Sequence, residues 1–253
     1  MDEIPVIVNA DDLGISQKVN CATFELIEAG LVTSATLMAN APHIEDACER
    51  AKEFPNCSFG VHLNVTQFQP LSSPGALEPL LDNSGAFDWE RIRQVSIDSS
   101  LAKGIFEEFC SQIDRLQSLN VAVTHIDSHH HVHTLPRLFP ILKRVQKKFQ
   151  IRRVRISRNI YAGHENVSRS LLLKKTLFNI LLKYYYRTKT TQGFTDLKAF
   201  IEKAESKQIK HKSVEVMVHL GSDSYVDDTE VLVSPWQASL GFQARLISYG
   251  DIG

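Results

Sequence analysis

The sequence predicts an α/β fold, an incomplete parallel (β/α) barrel of about seven strands. Three observations predict it. Short apolar runs alternate with longer helical patterns, and several connections are helix-sized, as parallel strands joined by crossover helices require. Asp11, Asp12, His62, His129 and His219 fall at or just beyond the C-terminal ends of predicted strands, the end on which parallel barrels gather reactive residues. The last predicted strand has no outer helix after it before Gly253, which suits seven strands better than eight.

Residues 4–9 read as a first buried strand through the unbroken apolar run Val6, Ile7, Val8. A helix follows over 17–28, with Ser16 as N-cap and Gly30 as stop. Residues 33–38 form a second strand, 44–54 a helix ending before Pro55, and 59–65 a third strand. Residues 67–88, rich in Pro, Ser and Gly, read as an excursion outside the core. Ile105, Phe109, Ile113 and Leu116 recur at helical spacing across 101–119. Residues 121–127 are the next strand, and Pro136 opens a helix to about 148. Segments 153–156, 215–218 and 246–249 complete the strands. With no internal repeat and no long linker, the expectation is a single domain over 1–253, with a mainly helical excursion near 165–210.

One helix is unusual. Over 171–187, Lys175, Asn179, Lys183 and Arg187 make a narrow polar stripe at i, i+4, and much of the remainder is apolar or aromatic. A solvated surface helix carries a narrower apolar face than this. Burial within the domain is the first expectation, followed by a homodimer contact, a lid over the site or a membrane-facing helix.

A formal net charge of -1 argues against a nucleic-acid partner. No stretch is long and apolar enough to predict a spanning helix. The acidic start, Met1-Asp2-Glu3, runs straight into the first strand, unlike a signal peptide. Cys21, Cys48, Cys57 and Cys110 show no C-x-x-C pairing and read as reduced thiols in a cytoplasmic protein.

The chemistry concentrates in two places. Five of the ten histidines lie within His125-Ile126-Asp127-Ser128-His129-His130-His131-Val132-His133, and an acidic pair, Asp11-Asp12, follows the first strand. Asp12, His62 and His129 supply one oxygen and two nitrogens from three strand ends, leaving an open position for water on a divalent cation. That donor set suits Zn²⁺, Co²⁺, Ni²⁺ or Mn²⁺. In an extended segment His125, Asp127, His129, His131 and His133 share one face and His130 points away. If a helix begins near His129, His129 and His133 share a face instead. Asp127 can hold a ligand imidazole in its tautomer, and Asn9, His125, His131 and His133 are further pocket candidates. On a strand end the Asp11 and Asp12 carboxylates point apart, so one can bind metal while Asp11 takes a proton from water. His219, after Val216-Met217-Val218, is a candidate general acid.

At these residues the chain resembles the YdjC-like carbohydrate deacetylase family, which includes chitooligosaccharide deacetylases. The matching stretches are Val8-Asn9-Ala10-Asp11-Asp12-Leu13-Gly14, Val32-Thr33-Ser34, Gly60-Val61-His62-Leu63-Asn64 and Thr124 through the His-rich run, with weaker matches at Met217-Val218-His219 and Leu246 to Ile252. The resemblance implies a TIM-barrel-like fold, a divalent metal commonly described as Mg²⁺, and hydrolysis of an N-acetyl group on a small carbohydrate. It implies Asp12, His62 and His129 as ligands and Asp11 as base, and it singles out His129 among its neighbours. Members usually have His-Pro-Gly where this chain has His219-Leu220-Gly221. Two other readings compete: a barrel phosphoesterase using Arg152, Arg153, Arg155 and Arg158 for phosphate, and a sugar-binding relative that has lost catalysis.

Overall fold

The computed structural model describes residues 3–225 and 227–253; Met1 and Asp2 of the acidic start lie outside the described residues. Its strands are β1 (Glu3–Leu13), β2 (Ser34–Leu37), β3 (Ser58–Leu63), β4 (His125–Ser128), β5 (Arg153–Val154), β6 (Gly193–Asp196), β7 (Val214–Val218) and β8 (Gln243–Leu246). All pairings among them are parallel. Seven run in the order β5-β4-β3-β2-β1-β7-β6, and β8 pairs with the first residues of β1. The barrel is therefore incomplete between β5 and β6. A lone bridge from Arg153 to Lys189 and the bond from Asn159 N–H to the Phe194 carbonyl cross that opening.

The helices of eight residues or more, among the described residues, are α1 (Gln17–Glu28), α2 (Ile44–Ala51), α3 (Ser99–Ser118), α4 (Phe139–Phe149), α5 (Arg169–Tyr184) and α6 (Leu197–Glu205). Ser16 caps α1 by accepting from the Val19 N–H, and Gly30, at φ +72°, ends it as expected. β2 and β3 are buried along their whole length because helices cover the outside and side chains fill the inside. The core joins Val6, Val8, Leu37, Val61, Ile126, Val154 and Val216 from the sheet to Phe24, Ile44, Phe109 and Leu142 from the helices.

Four expectations change. β1 runs on to Leu13, so Asp11 and Asp12 belong to the strand rather than following it. The last strand lies at Gln243–Leu246, just before the predicted 246–249, and Tyr249 is buried at the start of a 3-10 turn. Residues 67–88 are not a loose excursion. Leu77 and Leu80 are fully buried there against α3, where Glu108 accepts the Leu71 and Ser72 N–H groups. The region near 165–210 contains the barrel strand β6. Its sequence, Gly-Phe-Thr-Asp, has too little apolar alternation to stand out.

Candidate active site

Asp12, His62 and His129 come together from β1, β3 and the turn after β4, with their ligand atoms within 4.8 Å of one another. Asp12 Oδ1 sits 3.1 Å from His62 Nε2 and 2.8 Å from His129 Nδ1. It nonetheless lacks a hydrogen-bond partner among the described residues, being a buried carboxylate oxygen at which no N–H is aimed. Each imidazole is held from behind. His62 Nδ1 lies 2.7 Å from Asp127 Oδ1, and His129 Nε2 lies 3.1 Å from Gln67 Oε1. Each remote nitrogen donates to its acceptor, so a cation that displaces any proton from the near side would meet His62 Nε2 and His129 Nδ1 as lone-pair donors beside Asp12. An orphaned carboxylate oxygen between two such nitrogens fits a divalent cation.

The turn after β4 follows neither predicted geometry. Extension ends at Ser128, and His130 and His131 adopt left-handed backbone conformations at φ 50° and 54°. His129 is thereby turned to Asp12. His130 does not point away: its ring lies 4.0 Å from that of His129 and contacts Thr66 Oγ1 and the Tyr225 hydroxyl at 3.0 Å each. His131 packs edge-on against Phe194. His133 is buried between Ser128 Oγ and the Arg155 carbonyl. His125 is buried below the site, stacked at 3.8 Å on Tyr249 and bonded to Asn9 Oδ1. Burial, reinforced by Arg155, holds His125, His131 and His133 neutral, with His133 pushed down to about 3.

Asp11 takes a different partner from its neighbour. Its two oxygens accept from Arg155 Nη1 and Nη2 at 2.7 Å each, and Asn9 Nδ2 donates to it at 2.9 Å. Burial alone would raise its pKa, but the Arg155 guanidinium outweighs that and holds the carboxyl well below the usual range. Arg155, fully buried, also meets Asp127 at 2.9 Å and Glu215 at 2.7 Å. Tyr249 donates its hydroxyl to the other Glu215 oxygen, and burial pushes the Glu215 carboxyl up to about 7. Four carboxyl groups, those of Asp11, Asp12, Asp127 and Glu215, are thus buried around the single Arg155 guanidinium, and a divalent cation at Asp12 would offset part of that excess of acid.

Thr36 is a second anchor that the sequence reading missed. Its hydroxyl accepts from Asn9 and donates to Asp127, tying β1, β2 and β4 together beneath the site. Nothing distinguishes it in sequence from an ordinary strand threonine. Arg155 left a signal: a charge between Val154 and Ile156 on a core strand needs a buried partner.

Above Asp12 opens a cleft of about 220 Å³, walled by Asp11, Gln67, Phe68, His219, Leu220 and Tyr225. His219 Nε2 lies 4.0 Å from Asp12 Oδ2, its side chain is 18% exposed, and Tyr225 stacks on its ring at 4.4 Å. Leu220, in place of the usual proline, is buried, and Gly221 adopts φ +60° where a Cβ would lie 2.9 Å from the Lys18 carbonyl. The loop behind His219 is thus fixed by glycine rather than proline. None of the four arginines lines this cleft. Arg155 is committed to carboxylates, Arg158 pairs with Glu165 and Asp196, Arg153 binds the Gly250 and Ile252 carbonyls, and Arg152 lies over Tyr186.

A model of the family described as YdjC-like protein matches residues 5–241. A carbohydrate deacetylase of Geobacillus stearothermophilus is 39% identical over 154 residues, 60% of each chain. One from Thermoanaerobacter pseudethanolicus is 27% identical over 98% of this chain and 92% of its own. The chain spans 60%, 57% and 58% of the length of the first three curated relatives that it matches. A solved structure from Enterococcus faecalis V583, described as a candidate cellobiose-phosphate cleavage protein, superposes with a TM-score of 0.76 at 22% identity over both whole chains, which supports the fold. With the family model covering nearly every residue of the barrel, the chain belongs to the YdjC-like protein family.

Proposed function

We propose that the chain is a metal-dependent carbohydrate deacetylase that hydrolyses an N-acetyl group on an amino sugar or oligosaccharide and releases acetate. The observation that carries this reading is the orphaned Asp12 Oδ1, flanked by two imidazole nitrogens and opening on a cleft that also holds Asp11 and His219. The names of the relatives support the substrate class.

Asp12, His62 and His129 would hold a divalent cation, which would supply a Lewis acid to polarise the acetyl carbonyl and make water more acidic. The one-oxygen, two-nitrogen donor set favours Zn²⁺, Co²⁺, Ni²⁺ or Mn²⁺, whereas the family resemblance favours Mg²⁺. Asp11 accepts the proton that the attacking water gives up. Arg155 keeps that carboxylate ionised and, with Asn9, fixes its orientation. His219 donates a proton to the departing sugar nitrogen, so the products are acetate and a free amine. Tyr225, stacked on His219, offers an aromatic face to a sugar ring. The four free thiols fit a reducing, cytoplasmic setting.

The test is acetate release from a panel of N-acetylated oligosaccharides, before and after chelation and with metal restored. Equal amounts of acetate and new amine, lost on chelation and regained with about one cation per chain, are expected. Turnover that ignores the chelator, or phosphate release from phosphoesters with about two cations per chain, overturns the proposal.

A further inference from the structure

The helix α5 is built inside out. The middle of its predicted polar stripe faces the protein, while Lys183 and Arg187 at its far end are exposed: Asn179 is buried and bonds both the N–H and the carbonyl of Ser157, and Lys175 donates to the Tyr161 hydroxyl. Phe178 and Leu182 pack inward beside them. The expected burial of the apolar face does not occur. Leu173, Leu177, Ile180, Leu181 and Tyr184, at spacings of four, three, one and three, form one continuous outward stripe. Leu173 is 61% exposed, Leu177 52% and Tyr184 81%. The helix cannot roll to hide this stripe. Lys143 of α4 bonds the Leu182 and Tyr185 carbonyls and Thr188 Oγ1, and the Asn179–Ser157 pair anchors the middle.

Charge says what covers the stripe. From residue 166 to 195 there are six Lys and Arg and no Asp or Glu. Over 128–195 the count is fifteen basic residues against one acid, Glu165, in a chain whose formal net charge is -1. Arg155 and Arg158 in this segment are spent on carboxyl groups, Arg155 in the site and Arg158 on Glu165 and Asp196, and the remaining basic residues still leave the stretch carrying α4 and α5 strongly basic. On α5 itself, Lys174 borders the apolar stripe on one side, and Arg169 and Lys183 border it on the other. A two-fold contact between copies would set this face against itself and oppose like charges. A nucleic acid would leave the leucines facing phosphate. An anionic bilayer satisfies both features, because leucines enter the acyl boundary while flanking lysines reach headgroup phosphates.

We propose that the outer face of α5 docks the protein on an anionic lipid surface. The interaction is peripheral: no helix among the described residues is long and apolar enough to cross a membrane. α5 follows the C-terminal end of β5 and is tied to Ser157, two residues beyond Arg155, so the docking face lies on the segment leaving the active-site end of the barrel. This proposal does not rest on the deacetylase reading.

The test is co-sedimentation with vesicles of phosphatidylcholine alone and with about one third phosphatidylglycerol, at low and raised salt. Binding to the anionic vesicles only, weakened by salt, is expected. Leu177→Glu and, separately, the pair Lys174→Glu and Lys183→Glu should each lower the partition coefficient at least about tenfold. Their melting temperature and any acetate release from a soluble sugar should stay unchanged, since all three side chains are exposed and none lines the cleft. Failure to bind anionic vesicles, equal binding to neutral ones, or undiminished binding by either variant overturns the proposal. So does light scattering that finds a dimer which Leu177→Glu dissociates, since the face would then join two copies.

Discussion

Replacing Arg155 by methionine removes the guanidinium that Asp11, Asp127 and Glu215 share while keeping much of the side chain's volume. Removing one partner of a buried ion pair leaves uncompensated charge and costs about 3–5 kcal/mol. For a chain of this length each kcal/mol lowers Tm by about 2–4 °C, so a fall of about 6–20 °C follows. The pH dependence carries the sharper signature. In the native protein the folded pKa of Asp11 lies below its unfolded value, so its contribution to stability is present above the unfolded pKa and lost as pH falls through the folded one. Without Arg155 the burial penalty, the largest influence on Asp11, is opposed only by His62, His219 and the Asn9 amide, and it raises the folded pKa above the unfolded value. The sign then reverses, and the variant regains stability on acidification, by about 1.4 kcal/mol per pH unit for each carboxyl that takes up a proton on folding. Denaturant melts of both proteins in chelator, from about pH 8 to about pH 5, read this directly as a deficit that narrows toward acid. A deficit below about 1 kcal/mol, or one constant across that range, would refute the account of Arg155 as the counter-charge of the site.

Other outcomes follow from the same geometry. Asp12→Asn should reduce bound divalent metal from near one per chain to near zero by elemental analysis. Asp11→Asn should retain metal and lose about 10²–10⁴-fold in kcat/KM, and near-normal turnover would remove Asp11 as the base. Although burial opposes it, Asp127 and Asp12 push His62 up to about 10 in the metal-free chain. Metal uptake at neutral pH should therefore expel a proton and tighten as pH rises; calorimetric heats independent of buffer ionisation would contradict this. Gly60→Ala should cost about 1–3 kcal/mol by thermal melting, because the added Cβ would lie 2.6 Å from the His125 ring. An unchanged Tm would mean that the ring has room to move.

The barrel was legible because its strands carry a simple code. Val6-Ile7-Val8 and Val216-Met217-Val218 are apolar on both faces, and helical spacing between them forces parallel crossovers. Residues at strand ends are thereby assigned to one face, and Asp12, His62 and His129 do converge. Two kinds of feature stayed hidden. Strands as short as Gly193–Asp196 owe their pairing to neighbours rather than to their own pattern. Side chains such as Thr36 act through partners distant in sequence: its hydroxyl meets Asn9, His62 and Asp127, spanning three other strands. The helix at 171–187 misled for another reason. Its periodicity gives a polar stripe and an apolar remainder, but not which of them faces inward. Asn179 settles that by bonding the Ser157 backbone, a pairing that periodicity does not encode.

Two adjacent residues of a regular strand point to opposite faces, and one of Asp11 and Asp12 would then leave the cleft. β1 avoids this with one extra residue. Its ladder to β2 pairs Ala10 with Ala35 and next Leu13 with Leu37, three steps on β1 against two on β2. Asp12 absorbs the excess at φ 64°, a conformation that costs an L-residue about 1–2 kcal/mol but which aspartate tolerates better than most. The ladder resumes at once, with Met38 N–H donating to the Leu13 carbonyl at 2.9 Å, and Gly14, at φ +101°, turns the chain toward α1. Both carboxylates therefore face the cleft while remaining electrostatically separate, one against Arg155 and the other between two imidazoles. One peptide unit joins them, so their Cα atoms keep a fixed separation of about 3.8 Å. Arg155 on one side and the two imidazoles on the other then set where each carboxylate points.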